Sequence, residues 1–251
     1  TDTHVLSTDG GNLSADHADD AFTFNGFETF TIQAGADDID IGTNDALLTL
    51  GSTTTLNLGG DIVNTSDDGD IVLGTVTATS LTSVAITTEG GSVTIGDLGT
   101  TNSLETFTIS SASGETATVT DFDSTSLDTI TISGAGNATL TGADATSLDA
   151  VNASGLSGTL TIGSGFTTAA GATITGGTAV AAVDSITMST ANVKVLALGA
   201  NGTAETGDDS LALTGTMNSG TGTIDLSSSV DQITRIGGNT ETKGCGKGCV
   251  R

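Results

Sequence analysis

The sequence predicts an all-β chain wound as a right-handed parallel β-helix with coils of about 23 residues, and a β-sandwich is the competing arrangement. Three observations lead there. Ser-Leu pairs recur at Leu81, Leu104, Leu127 and Leu148, a nearly constant interval. Polar and apolar residues alternate through short stretches such as Phe107-Thr-Ile109, Ile130-Thr-Ile132 and Leu160-Thr-Ile162, the pattern of strands with one face inward. The 251 residues contain no proline, which inside a coil would remove a ladder hydrogen bond. A fixed period in the twenties marks a solenoid, whose repeats bury their apolar faces only against neighbouring coils. A sandwich also supplies many short strands, but it gives no reason for the period.

Residues 1–20 read as an acidic N-terminal segment, and a chain that starts Thr-Asp-Thr-His reads as a piece excised from something longer. His4 and His17 are its only histidines, and in such surroundings they are expected to be solvated. Residues 21–236 form the repeat domain. Asn25-Gly-Phe-Glu-Thr-Phe-Thr-Ile32 nearly copies Asn102-Ser-Leu-Glu-Thr-Phe-Thr-Ile109. Ser80-Leu-Thr-Ser-Val-Ala-Ile86 aligns with Ser103–Ile109, Ser126–Ile132 and Ser147–Ala153. A second strand follows in each period, at Val93-Thr-Ile95, Val119 and Leu140. Gly90-Gly91, Ser133-Gly-Ala-Gly136 and Gly176-Gly177 are turn chemistry between strands. Val183–Met188 and Val230–Ile236 resemble Leu127–Ile132 and lie close to two periods apart. No helical stripe is present. Residues 237–251 form a Gly-rich basic tail without alternation.

The chain carries 30 acidic residues against 5 Lys and Arg, a formal charge of -25. That balance excludes nucleic acid and anionic membrane surfaces, whose binding needs cations to neutralise phosphate. No apolar run approaches a membrane span. An enzyme on a β-helix that acts on acidic sugars needs cations and stacking aromatics. Residues 1–242 offer only Lys194 and Arg235, and the chain has no Trp or Tyr, so no catalytic activity is expected. Both cysteines lie in the tail, so the body does not depend on internal disulfides.

Acidic residues gather in Asp37-Asp38-Ile-Asp40, Asp67-Asp68-Gly-Asp70, Asp121-Phe-Asp123 and Gly207-Asp208-Asp209, read as turns. Hard cations such as Ca²⁺ take several carboxylate and carbonyl oxygens, which makes Asp37, Asp38, Asp40, Asp67, Asp68, Asp70, Asp208 and Asp209 the candidate ligands. The plainer alternative is a set of solvated acids that keep a Thr-rich sheet soluble and blunt its edges. In the tail, Lys243, Cys245, Lys247, Cys249 and Arg251 form a candidate subunit contact, a cationic segment docking on the acidic body of the next copy and locked by disulfide. Thr-x-Thr motifs at Thr116, Thr118, Thr139 and Thr159 fall at unequal intervals from the Ser-Leu pairs, which predicts no flat threonine lattice of the kind that orders ice.

The segment Leu148-Asp-Ala-Val-Asn-Ala-Ser-Gly-Leu-Ser-Gly-Thr-Leu-Thr-Ile162, with the Ser-Leu repeats before it, resembles RTX-type bacterial surface-layer proteins and large secreted adhesins. The likeness covers residues 20 to 236 and lies in texture more than in motif. Gly35-Ala-Asp-Asp-Ile-Asp-Ile-Gly42 and Gly207-Asp-Asp-Ser-Leu-Ala-Leu213 are degenerate halves of a calcium-binding nonapeptide, and no intact copy is present. The resemblance implies an exported, Ca²⁺-dependent β-helical scaffold at the cell surface. Its expected partners are copies of itself and cell-surface polysaccharide.

Overall fold

The computed structural model describes residues 2–7, 13–14, 21–35, 37–41, 47–59, 69–100, 103–169, 172–177, 184–188, 195–197, 210–213, 223–225 and 232–236. In the first part of the chain the strands are β1 (Thr3–Ser7), β2 (Leu13–Ser14), β3 (Ala21–Phe24), β4 (Thr29–Gln33), β5 (Ile39–Ile41), β6 (Leu47–Leu50) and β7 (Thr55–Gly59). The central ones are β8 (Ile71–Thr77), β9 (Ser83–Thr87), β10 (Val93–Thr100), β11 (Thr106–Ser111), β12 (Thr116–Ser124), β13 (Thr129–Gly134), β14 (Asn137–Ala145), β15 (Ala150–Leu156) and β16 (Leu160–Thr167). The last are β17 (Thr173–Thr175), β18 (Ser185–Met188), β19 (Val195–Ala197), β20 (Ser210–Leu213), β21 (Thr223–Asp225) and β22 (Gln232–Ile236). No helix occurs among the described residues.

Alternate strands separate into two sheets. One has ten strands in the order β1-β4-β7-β9-β11-β13-β15-β17-β19-β21, the other twelve, with β2-β5-β8-β10-β12-β14-β16-β18-β20-β22 as its path. All the pairings are parallel. This is a β-solenoid, and the sandwich, built from antiparallel strands, is excluded. Pairing offsets match the sequence period at the centre: Thr106 pairs Ser83 and Thr129, each one Ser-Leu interval away. The offset is longer between Thr3 and Thr29, and longer again between Thr55 and Ser83.

The longer strands serve two faces. Along β12 the burial alternates through Val119, is broken by Thr120 and Asp121, both outward, and resumes at Phe122. Two successive outward residues turn the strand through a corner, so its halves line different sides of the core. The same break falls at Gly74-Thr75 in β8, Gly96-Asp97 in β10 and Thr141-Gly142 in β14. Earlier in the chain the third side is made by separate strands: β3 pairs β6, and β6 pairs the second half of β8.

The core is a bundle of columns, because in-register parallel strands place like positions one above another about 4.8 Å apart. One column runs Phe30, Leu56, Val84, Phe107, Ile130, Val151, Ile174, all at most 1% exposed. Leu81, Leu104, Leu127 and Leu148 are each 0% exposed, as inward-facing repeat leucines should be. Their ladder is reinforced by hydroxyls: Ser147 Oγ donates to the carbonyl of Leu127 at 2.9 Å, and the Leu127 amide donates to Ser124 Oγ at 3.2 Å. Phe107, Phe122 and Phe166 meet edge-on inside, with ring centroids 5.5 and 6.2 Å apart.

At the turn leading into the twelve-stranded sheet the coils approach too closely for a side chain. A Cβ on Gly69 would lie 2.5 Å from the carbonyls of Gly35 and Asp37. One on Gly91 would overlap the Gly69 carbonyl, and one on Gly158 that of Gly136. The glycine clusters of the sequence are thus more than turn formers. They let backbone stack on backbone from coil to coil.

Two features depart from the sequence reading. The segment at residues 1–20 contains β1 and β2, which add a strand to each sheet. And β18 and β22, although they resemble Leu127–Ile132, lie in the twelve-stranded sheet, whereas β13 lies in the ten-stranded one. Their separation does span two coils, since Ile186 pairs Leu211 and Leu211 pairs Ile233.

Candidate functional site

Three outward surfaces carry polar groups in register: the acidic turns, an aspartate patch on the third side, and the threonine ranks.

At the turns, carboxylates and hydroxyls of one coil accept amides of the next. Asp38 Oδ1 accepts the Asp70 amide at 2.9 Å, and Asp70 Oδ1 accepts the Ser92 amide at 2.9 Å. Ser92 Oγ takes the Thr116 amide at 3.1 Å while donating to Glu115 Oε2 at 2.8 Å. Asn137 Oδ1 continues the series with the Thr159 amide at 3.0 Å. These side chains terminate strand ends as an N-cap does for a helix, by satisfying amides that the ladder leaves over. Further along, Asp184, 3% exposed, accepts the amides of Leu160 at 2.9 Å and Gly177 at 2.7 Å.

The predicted calcium ligands are therefore divided. Asp38 and Asp70 each commit one oxygen to the backbone. Asp37 is half-buried in the same turn, and Asp40 lies within β5. Among the described residues no three acidic, histidine or cysteine side chains are grouped as a metal site requires. Asp67, Asp68, Asp208 and Asp209 lie outside the described residues, as do Lys243, Cys245, Lys247, Cys249, Arg251 and His17.

Asp121 and Asp123 stand in a strand, not a turn. Register places Asp97 beside Asp121 and Asp123 beside Asp144, so four carboxylates share one outer side over three coils. Partial burial, then the charges of Asp123 and Asp97, raise the Asp121 carboxyl above its ordinary value, with Asp144 adding to them; the Phe122 amide pulls the other way. Asp97 Oδ1 also accepts the Gly99 amide at 2.7 Å. The sequence hinted at this patch only through Asp-Phe-Asp, since Asp97 and Asp144 join it through register alone.

The threonines do hold register, contrary to the reading from intervals. Thr94, Thr118, Thr139 and Thr161 pair in succession along the twelve-stranded sheet. Their offsets from Leu81, Leu104, Leu127 and Leu148 vary by one position either way. The intervening turns absorb the differences. The ten-stranded sheet has its own outer rank, Thr3, Thr29, Thr55, Ser83, Thr106, Thr129.

His4 is not solvated as expected. It is half-buried, stacked on Phe27 with centroids 4.7 Å apart and tilted against Phe30 and Phe24 at 5.4 and 5.7 Å. No family model, curated protein or solved structure matches this chain.

Proposed function

We propose that this chain is an extracellular structural protein, a scaffold that assembles with copies of itself into a surface layer or filament and has no chemistry of its own. The observation that supports this reading is a core column that keeps its register from one coil to the next. One line of pairings passes from His4 through Phe30, Leu56, Val84, Phe107, Ile130, Val151, Ile174 and Leu196 to Ile224. A rod built this way extends in one dimension by adding equivalent coils. Its described exterior is mostly threonine, serine, glycine and carboxylate, and its formal charge of -25 disfavours random collapse of copies on one another. The likeness to surface-layer proteins and adhesins points the same way, and on it cell-surface polysaccharide is a proposed partner.

Calcium enters the proposal at the acidic turns and as a neutraliser of crowded carboxylates, such as the Asp97, Asp121, Asp123 and Asp144 patch. Negative-stain electron microscopy of protein purified without chelator should reveal sheets or filaments. EGTA should dissolve them or lower the melting temperature. Single rods at every concentration argue against the scaffold, and indifference to EGTA removes calcium from it.

A second reading, binding of ice or a regular polymer, is favoured by the rank Thr94, Thr118, Thr139, Thr161, whose hydroxyl-bearing positions repeat about every 4.8 Å. Thermal hysteresis separates it from the first, because a scaffold without ice affinity gives none.

A further inference from the structure

Residues 25–28 join β3 to β4 and stack on residues 51–54 of the next coil, because Phe24 pairs Leu50 and Thr29 pairs Thr55. Backbone bonds close this stack at both ends. The Gly51 amide donates to the Phe24 carbonyl at 3.0 Å, and the Thr54 and Thr55 amides donate to the Glu28 carbonyl, each at 3.0 Å. Between them, side chains make the contact. The Gly26 amide donates to Ser52 Oγ at 3.1 Å. A Cβ on Gly51 would overlap the Asn25 side-chain oxygen and stand 3.1 Å from its Cγ, so the Asn25 carboxamide rests on Gly51.

An asparagine followed by glycine carries a reaction of its own. The glycine nitrogen attacks the side-chain carbonyl carbon one residue back and closes a succinimide ring, and no Cβ shields that nitrogen. Asn25 and Gly26 are both exposed, so water and base reach them. Gly26 holds a φ of +92° with nothing within 4 Å of an added Cβ, which leaves the space beside it open. The other asparagines among the described residues lie within strands: Asn57 in β7, Asn137 in β14 and Asn152 in β15. They precede Leu58, Ala138 and Ala153, whose Cβ atoms crowd the nitrogen. The Ala138 amide is also held by the Thr159 carbonyl at 3.0 Å. In the near-copy of this segment, Asn102 precedes Ser103 in place of a glycine.

We infer that Asn25-Gly26 is a self-modification site and that Ser52 of the following coil restrains it. The Gly26 nitrogen bonds to Asn25 Cγ and gives its proton to a solvent base. The Cγ–Nδ2 bond breaks, and Nδ2 leaves as ammonia after taking a proton from water. Water then opens the succinimide at either carbonyl. One opening leaves aspartate at position 25; the other leaves isoaspartate, with the main chain rerouted through the side-chain carbon. Water and base are the only co-reactants. To attack, the nitrogen must give up Ser52 Oγ and the carboxamide must leave Gly51. The reaction therefore runs through a local opening between these two coils, and its rate reports how tightly they are stacked. The ring keeps no N–H to donate to Ser52, and isoaspartate lengthens the main chain at this corner. Either product adds a negative charge to a chain already at -25. Asparagine is not regenerated, so the change accumulates with the age of the molecule, however copies assemble.

The test keeps the full chain folded in warm, mildly alkaline buffer beside a sample unfolded in guanidinium. Tandem mass spectrometry of its peptides reads aspartate and isoaspartate at position 25, and circular dichroism reads strand content. Folded wild type should convert at position 25 before Asn57, Asn137 and Asn152, and more slowly than the unfolded chain. Ser52→Ala should convert about two- to tenfold faster than wild type with unchanged dichroism, the factor that one ordinary hydrogen bond supplies. Ser52→Thr, which keeps the hydroxyl, should return to the wild-type rate. Folded wild type without product at position 25 when the unfolded sample is fully converted overturns the site. Ser52→Ala converting at the wild-type rate overturns the restraint. If that variant loses strand signal, folded and unfolded wild type decide the matter, and equal rates overturn the restraint.

Discussion

Thr53 is the residue whose chemistry least suits its place. Thr55 pairs Ser83, so Thr53 stands one coil before Leu81, in the column that Leu104, Leu127 and Leu148 continue. It is 0% exposed, and its hydroxyl has no hydrogen-bond partner. A buried unsatisfied hydroxyl costs about 1–3 kcal/mol. Thr53→Val should therefore raise stability by about 1 kcal/mol, measured as a higher denaturant midpoint; a lower midpoint would contradict the assignment. The sequence hid this position because its coil is longer than the repeat interval, and Ser52-Thr53 does not read as a Ser-Leu pair. Asp121 makes the opposite case, a side chain suited to solvent but crowded by neighbours. Its folded carboxyl binds a proton more readily than the unfolded one, so its contribution to stability is fully present below the unfolded value of 3.8 and is lost as pH rises through the raised folded value. Asp121→Asn should stabilise at neutral pH by about 0.5 kcal/mol, a cross-strand like-charge effect reduced by solvent screening. That gain should shrink as the solution is acidified toward 3.8. A gain that is constant with pH would assign the effect to something other than charge.

At the scale of single elements, alternation located strands well and assigned them to faces poorly. Phe107-Thr-Ile109 and Ile130-Thr-Ile132 are β11 and β13, and all four apolar residues are inward. But Ile-Thr with a preceding aspartate fits either sheet, so β18 and β22 were not distinguishable from β13 by pattern. Corners were equally hidden, because a bend needs only two successive outward residues and interrupts the alternation no more than a short loop does. The glycine turns are where a small change should act most strongly on an element. At Gly91 the obstacle to a Cβ is the Gly69 backbone carbonyl, which cannot swing aside as a flexible side chain would. Gly91→Ala should cost about 1–3 kcal/mol, the range for overpacking a close contact. Gly26→Ala has open space around its added Cβ but a φ of +92°, so it isolates backbone strain from collision. Equal losses in the two variants, read from denaturant midpoints, would show that stacking adds nothing beyond ordinary turn conformation.

For the whole molecule, the period of the Ser-Leu pairs was enough to specify parallel stacking, since strands that bury a leucine at a fixed interval satisfy it only against the coils on either side. What the period could not supply is which polar groups meet. Register brings Asp97 to Asp121 and aligns Thr94 with Thr118, Thr139 and Thr161, although the intervening loops differ in length. The acidic N-terminal strands also belong to the rod, a fact masked by their charge. The central claim is that successive coils rise by one strand spacing along a single axis. Paired spin labels on the outer ten-stranded face test it most directly, with Thr31 as the fixed position. Thr131 lies four pairings away and Thr175 six, through Asn57, Ala85, Thr108, Thr131 and Asn152. The expected backbone separations are about 19 and about 29 Å at about 4.8 Å per strand. Distances that grow by about 10 Å from the first pair to the second support the stacked solenoid; equal or inverted distances would contradict it.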